Sequence, residues 1–345
     1  MVMALPSTIR AVHQPDKLSP RLVLTTTPLP TPSSPAEVLV KVAATAPCYS
    51  ELTWAAQYPE SFPADKEPVP GQDVAGTVVR AGPGSSFRPG DEVFCRIAAT
   101  RPGGLREYTL ALESELALKP AALDWVSAAS VPLSALTAWQ ALFVKGSLEK
   151  SALFGDEAAG QRNGLKKVMV TAAGGSVGGF AVQFAAAAGA AAVVGVCSAD
   201  KAEQVVALGA TAVVDYKRQR LQSWVQENPE DRQFDLVVDC VGGDAMADLW
   251  AAVKDGGEII SVSDLPDRMR PAGNTKTLKK SEFFIVESLG AQLAEIAHLV
   301  GQGRVRALVD SVYAFEDFQA AFDKLDRRTA KGKIVIKVGM SQDGA

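Results

Sequence analysis

The sequence predicts an α/β chain: a doubly wound parallel sheet preceded by a β-rich domain. Three observations carry this. The stretch from Lys167 to Ala190, KVMVTAAGGSVGGFAVQFAAAAGA, reads as a strand, a turn of small residues and a helix. Beyond it, short apolar runs alternate with helical segments to about residue 286. Ahead of it, residues 9–130 hold short strands set between proline- and glycine-rich turns.

In chain order, Leu22-Val23-Leu24, Glu37 to Ala43, Val74 to Val79, Asp91 to Phe94 and Gly104 to Leu110 read as strands. Pro28, Pro30, Pro32 and Pro35, then Gly82-Pro83-Gly84 and Pro89-Gly90-Asp91, supply the turns. Residues 155–166 read as a solvent-facing insertion. Val168-Met169-Val170 opens the parallel sheet. In the turn after it, Ala173, Gly175 and Gly178 fall on the GxGxxG frame, with Ala in first place and Val177 at the helix start. Gly175 admits close approach of phosphate oxygens, Gly178 lets the helix pack on the strand, and the helix N-terminus attracts the pyrophosphate. Phe180 to Ala188 reads as a buried helix stopped by Gly189.

Val193 to Cys197 is the next strand, and Asp200 to Leu208 a helix with Asp200 and Glu203 as a capping pair and Gly209 as the stop. Ala212 to Val214, Leu236 to Val238, Glu258 to Ile260 and Phe283 to Val286 continue the strand pattern, the last at the sheet edge. An apolar edge of this kind is expected to pair with its twin in a homodimer, the alternative being a monomer whose edge is covered by the loop 265–280. Residues 265–280 form a cationic loop, with Arg268, Arg270, Lys276, Lys279 and Lys280 against Asp267. It reads as a solvated loop, or as an attractor of cofactor phosphates or a phosphopantetheine-bearing substrate.

An NAD site usually places a carboxylate at the end of the second strand, where it accepts from the ribose hydroxyls. Here the order is Cys197-Ser198-Ala199-Asp200-Lys201, with no carboxylate at the strand end itself. Ser198 can donate to a 2′-phosphate, Lys201 can pair with it, and Tyr216 follows the third strand. Asp200 is one possible ribose partner, but reads as a helix cap facing solvent. The expected cofactor is NADPH.

The chain has 345 residues, 47% hydrophobic and 21% charged, with a net charge of −4, which suits a two-domain globular protein and not a nucleic-acid partner. Cys48, Cys95, Cys197 and Cys240 form no CxxC pair, so a reducing compartment is expected. No apolar run is long enough to span a membrane. The first ten residues show neither a secretory core nor an Arg-rich amphipathic pattern, so the expected location is cytoplasmic.

Further motifs follow one another in a telling order: Val69-Pro70-Gly71-Gln72-Asp73-Val74-Ala75-Gly76, Phe87-Arg88-Pro89-Gly90-Asp91-Glu92-Val93, Ala128-Ala129-Ser130-Val131-Pro132, Leu136-Thr137-Ala138-Trp139, the AxGxxG turn, and Lys331-Gly332-Lys333-Ile334-Val335-Ile336. Along nearly its whole length the chain resembles the medium-chain dehydrogenase/reductase superfamily. The AAGG-type turn with Ser198, Lys201 and Tyr216 looks like its quinone oxidoreductase and enoyl reductase branch. The resemblance implies a GroES-like catalytic domain (1–130 and 292–345) interrupted by a Rossmann domain (131–291).

Many members of this superfamily carry catalytic zinc, which needs about three protein ligands. Cys48 sits at the first ligand's place, but Gln72 stands for the usual His and the third place falls near Leu133. His13 and His298 read as surface or half-buried residues. No metal is expected, and Cys48 reads as a buried or pocket-lining thiol. Without a Lewis acid, hydride delivery to an already activated acceptor is favoured over simple alcohol oxidation.

The resemblance places Thr137 under the nicotinamide. Gly242, Val262 and Ser263 lie at strand ends where ligands bind, and Lys333 either reaches the cofactor or is solvated. The acceptor, a small electrophile, is expected between the domains, with Tyr49 and Ser50 as candidate proton donors to the reduced oxygen; water is the alternative source. The expected activity is zinc-independent, NADPH-dependent reduction of an enone, enoyl group or quinone. A metal-free alcohol or carbonyl oxidoreductase and a non-catalytic NADPH-binding module remain the rivals.

Overall fold

The computed structural model describes residues 5–339. They fold as two compact units: the described parts of Met1–Leu133 and Glu287–Ala345, and Ser134–Val286.

The first unit begins with a hairpin-like pair, β1 (Thr8–His13) and β2 (Val23–Pro28). Then come β3 (Glu37–Ala46), β4 (Asp73–Arg80), β5 (Glu92–Arg96), β6 (Tyr108–Leu112) and β7 (Leu116–Leu118). Val38, Val40 and Val42 of β3 are buried on one face with Val74, Val78 and Val93, the period-two pattern of a strand facing a core. The predicted strand from Gly104 starts later, at Tyr108. Gly103 and Gly104 instead lie on the backbone of Pro70 and Gly71, where a Cβ at Gly103 would come within 2.4 Å of Pro70 O. β1 and β7 have weak local signals: Thr8–His13 mixes polar and apolar residues, and Leu116–Leu118 is only three residues long.

The second unit holds β8 (Lys167–Val170), β9 (Ala192–Cys197), β10 (Ala212–Asp215), β11 (Phe234–Asp239), β12 (Val253–Ser261) and β13 (Lys280–Phe283). All pairings are parallel, in the order β10-β9-β8-β11-β12-β13. This is the doubly wound sheet expected, and the fold class stands. The chain then returns to the first unit through the helix Gly290–Gly301. It adds β14 (Val309–Ala314) and β15 (Lys333–Lys337) to give a seven-stranded sheet ordered β14-β15-β3-β4-β5-β7, with β6 also paired to β3. Among the described residues, no helix is long and apolar enough to cross a membrane.

Three local expectations change. The edge strand is Lys280–Phe283 and not Phe283–Val286: its partner β12 ends at Ser261, opposite Phe283, so the ladder has nothing further to pair with. Residues 155–166 are mostly exposed, as a solvent-facing insertion would be, but they hold a helix, Glu157–Asn163, and not a loop. Asp156 caps it by accepting from Ala159 N at 3.0 Å, and buried Asn163 donates to Glu149 O and Ala188 O. The cationic loop is tied down: Lys276 Nζ donates to Trp250 O, Ala251 O and Val253 O at the end of the helix Met246–Ala252, and Arg270 lies over the Trp250 ring.

One carboxylate joins the C-terminal ends of the central strands. Buried Asp239, the last residue of β11, accepts from Thr171 Oγ1 (2.8 Å) and Val241 N (3.2 Å) on Oδ1, and from Gly242 N (3.0 Å) and Ser261 Oγ (2.9 Å) on Oδ2. Ser261 Oγ in turn accepts from Ser263 N and Asp264 N. Four charge-assisted bonds to a buried anion are worth more than neutral ones, and their loss leaves several donors unpaired. Asp239→Ala is expected to lower unfolding free energy by about 3 kcal/mol, read by urea denaturation, with Asp239→Asn between it and wild type. A change under about 0.5 kcal/mol in the Ala variant, the range of ordinary surface substitutions, would contradict this role.

Candidate active site

The turn after β8 is shaped by packing. Ala172 adopts a positive φ of 47°, and Ala173 is buried with its N–H donating to Val196 O at 3.1 Å. Gly175 is the N-cap of the helix Ser176–Ala187. A Cβ on Gly178 would lie 2.4 Å from Ala172 O, so only glycine lets the helix sit this close to the turn. At Gly175 the nearest atom to such a Cβ is Ala172 O at 3.2 Å, a milder crowding. Gly175, Ser176 and Val177 are half-buried, leaving the start of this helix accessible.

Lys201 comes to the same turn. A Cβ on Gly174 would meet the Lys201 stem at 2.5 Å, so the lysine crosses the glycine. Ser198, buried, is the N-cap of the helix Ala199–Ala207, and its hydroxyl donates to Asp200 Oδ1 at 2.6 Å. Asp200 is therefore not the cap that the spacing suggested. It sits in the first helical turn as an acceptor for Ser198, because the helix begins one residue earlier. Tyr216, 57% exposed, follows β10. Gly242 has φ 74°, with a built Cβ 2.9 Å from Ser263 Cβ, and Val262 N donates to Asp239 O. Ala173, Gly175, Val177, Gly178, Ser198, Lys201, Tyr216, Gly242, Val262 and Ser263 thus all follow the C-terminal ends of β8 to β12. Thr137 is buried in the helix Pro132–Trp139.

In the first unit, the places that the resemblance reserved for zinc ligands have other work. With its amide oxygen and nitrogen assigned from the surrounding acceptors, Gln72 donates to Ile97 O (2.7 Å) and Ala98 O (3.2 Å) at the β5 end. Leu133 offers its N–H, not a side chain, to Asp73 Oδ1 at 2.6 Å. Asp73 Oδ2 lies 2.8 Å from Lys333 Nζ, which also donates to Pro47 O at 2.9 Å. Lys333 is 5% exposed, so the solvated reading of it is corrected. Burial works against its charge, but Asp73 and then Cys48 and Glu51 outweigh that and raise its pKa. Burial pushes the Cys48 thiol up to about 11 despite the nearby Lys333 charge, which marks it as an unreactive thiol. Among the described residues, no group of three or more His, Cys, Asp or Glu is gathered for a metal. His13 bonds Glu67 and Thr25, and His298 bonds Gln302.

Tyr49 and Ser50 occupy one tight turn. Ser50 has φ 62°, and its carbonyl accepts from Thr53 N and Oγ1. Ser50 and Cys48 help line a cavity with Lys17, Glu51, Leu52 and Phe322. Glu51, unforeseen from the sequence, braces the turn: its carboxylate accepts from Cys48 N (2.7 Å) and Gly71 N. Burial raises its pKa. Tyr49 is 40% exposed and stacks under Arg328, another residue without a sequence signal.

Comparison with known proteins places this geometry. The model described as "Alcohol dehydrogenase GroES-like domain" matches residues 34–121, and the one described as "Zinc-binding dehydrogenase" matches 208–336. A probable zinc-binding oxidoreductase, mitochondrial, of Arthroderma benhamiae is 47% identical over 338 residues, covering 98% of this chain and 99% of that protein. The chloroplast envelope quinone oxidoreductase homolog of Arabidopsis thaliana is 30% identical, covering 90% and 92%. The mouse mitochondrial NAD(P)H oxidoreductase RTN4IP1 is 33% identical, covering 78% and 70%. Among solved structures, an NAD-dependent alcohol dehydrogenase superposes with a TM-score of 0.81 at 27% identity, covering 96% of this chain and all of that one.

The cytoplasmic expectation is overturned by the mitochondrial naming of relatives, one of them similar over full length. Composition and fold are indifferent to compartment, since an address is read by transport machinery and not by the packed core. Shared architecture, shared motifs and full-length similarity to oxidoreductases agree: the chain belongs to the medium-chain dehydrogenase/reductase family and is an NAD(P)H-dependent oxidoreductase.

Proposed function

We propose that the chain is a zinc-independent reductase, preferring NADPH, that transfers hydride to an activated C=C bond of an enone or enoyl group, or to a quinone. The observation that carries this is the engagement of the three ligand places. Gln72 holds backbone carbonyls, Leu133 has no metal-ligating atom in its side chain and spends its N–H on Asp73, and a lysine ammonium is paired with Asp73 beside Cys48. Among the described residues, no group of three or more His, Cys, Asp or Glu is gathered around Cys48, so the donor set there does not fit tetrahedral zinc. The zinc-binding name belongs to the Arthroderma protein and comes to this chain only if those places are reoccupied.

The glycine turn fits a dinucleotide: the helix start at Gly175 is accessible, and Gly178 brings the helix against the turn. Bound nicotinamide would supply the hydride. Lys201 crosses Gly174 toward the turn, where its ammonium can neutralise a 2′-phosphate. Ser198 joins it by turning from Asp200, and Tyr216 lies exposed after β10. Ala173, Val177, Gly242, Val262 and Ser263 present backbone and small side chains along the same sheet edge, with Thr137 and Lys333 as further cofactor residues. On the acceptor side, the Tyr49 phenol is the proposed proton donor, with Ser50 as the alternative on the same turn. The alcohol dehydrogenase likeness favours a carbonyl substrate as the competing reading.

Lys201→Ala is expected to weaken NADPH binding by about ten- to a hundredfold, the worth of a charge-assisted hydrogen bond of roughly 1.5–3 kcal/mol, with little effect on NADH. Titration of both cofactors checks this, and equal losses would withdraw the NADPH assignment. Activity on enones or quinones is expected to survive chelation, with metal well below one equivalent by elemental analysis; stoichiometric zinc lost together with activity would overturn the metal-free reading. A homodimer through the β13 edge is also proposed, since β13 ends the sheet and Ile285 beside it is 73% exposed. Light scattering should give twice the chain mass, and Ile285→Asp should reduce it to one; a wild-type monomer at micromolar concentration would refute the pairing.

A further inference from the structure

Two residues with side chains adopt the left-handed backbone region at opposite ends of one contact. Ser50 (φ 62°) directly follows Tyr49. Arg328 (φ 55°) directly follows Arg327, the C-cap of the helix Phe318–Asp326, and its N–H donates to Leu325 O. That is the position where helices usually place glycine. A long side chain held there without relief points to a role for the side chain. Here the side chain reaches back to Tyr49. Its guanidinium carbon lies 4.1 Å from the ring centroid, and Nη2 donates to Tyr49 Oη.

We propose that Arg328 is a positioning residue that makes Tyr49 a directed proton donor. The inference rests on the reductase reading and on Tyr49 as its acid. A guanidinium donates only and stays charged, so the phenol oxygen must accept from it. One lone pair is thereby occupied and the phenolic proton is turned toward a different acceptor. Once hydride has been added to the acceptor, the displaced electron pair sits on the acceptor's oxygen. The Tyr49 O–H bond breaks, a new O–H bond forms on that oxygen, and the phenolate is left against the guanidinium until water reprotonates it. A hydrogen bond from a cation favours the ionised phenol, so the same contact directs the proton and eases its departure.

The other titratable groups around Tyr49 are spoken for differently. On its own turn, Glu51 accepts from Cys48 N and Gly71 N, and burial raises the Cys48 thiol. On the packed helix end, Asp326 and Arg327 flank Arg328 in sequence. Asp326 lines the cavity beside Ser50 together with Lys17, while the Arg328 guanidinium meets the phenol.

The test is a double-mutant cycle on the full chain, with NADPH oxidation measured on an enone and a quinone. Tyr49→Phe should lower kcat about a hundredfold, the low end of a general acid's contribution. Arg328→Gln should lower it about tenfold with KM nearly unchanged, and Arg328→Lys should recover part of the loss. The double variant should match Tyr49→Phe alone, because Arg328 acts through the phenol. Independently of turnover, the ultraviolet phenolate signal unique to Tyr49, obtained by difference from Tyr49→Phe, should titrate at higher pH in Arg328→Gln. If Tyr49→Phe keeps full kcat, the donor assignment fails and the positioning role falls with it. If Tyr49→Phe loses kcat but the Arg328 loss is missing or multiplies with it, the reductase reading stands and the Arg328 proposal is overturned. If no acceptor is reduced by wild type, the reductase reading fails, and an unchanged phenolate midpoint then also overturns the contact's proposed role.

Discussion

The buried ion pair between Lys333 and Asp73 is the constraint on which the first unit depends. Both side chains are almost fully shielded from water, at 6% and 0% exposed, and their charges are separated by 2.8 Å. Neither charge is tolerable there alone, because an unpaired ion in such a site loses hydration with nothing in return. The pair ties β15, near the end of the chain, to the start of β4. Lys333 Nζ also takes the carbonyl of Pro47, and Asp73 Oδ1 takes the N–H of Leu133. Segments separated by more than two hundred residues are thereby held at one point.

That point sets the form of the candidate acceptor side. With Pro47 anchored by Lys333, and Cys48 and Gly71 bridged by the Glu51 carboxylate, the turn carrying Tyr49 and Ser50 has little freedom. The left-handed φ of Ser50 persists because the bonds on both sides of it are made. Gln72, next to Asp73, spends its amide on the end of β5. A site with these commitments holds a fixed cation and fixed hydrogen-bond polarity beside that turn.

The second unit uses a comparable device at the C-terminal edge of its sheet. Asp239 gathers donors from the ends of β11 and β12 and from Thr171 after β8, which fixes the backbone of Gly242 and aligns Ser261 to hold Ser263 and Asp264. The turn after β8 is held instead by steric fit: Gly178 admits Ala172 O, and Gly174 admits the stem of Lys201. One edge thus combines a polar hub and a glycine cradle.

The sequence by itself determined what depends on local pattern. Strand, glycine turn and helix around Val168–Ala188, the alternation that follows, and the ordered motifs of the first third are encoded in residues close along the chain, so the doubly wound sheet, the β-rich unit and the family were legible. Departures came where the partner was distant. The edge strand moved to Lys280–Phe283 because β12 stops at Ser261, and the supposed loop before β8 became a helix because its inner face is bonded to Glu149 and Ala188. Likewise, Glu51, Asp239 and Arg328 carry no motif of their own. Their roles arise from what the tertiary structure brings against them: Gly71 at twenty residues' separation, Thr171 at 68, and Tyr49 at 279. Burial and partnership decide whether a carboxylate is a hub or a solvated surface group, and only the folded chain supplies either.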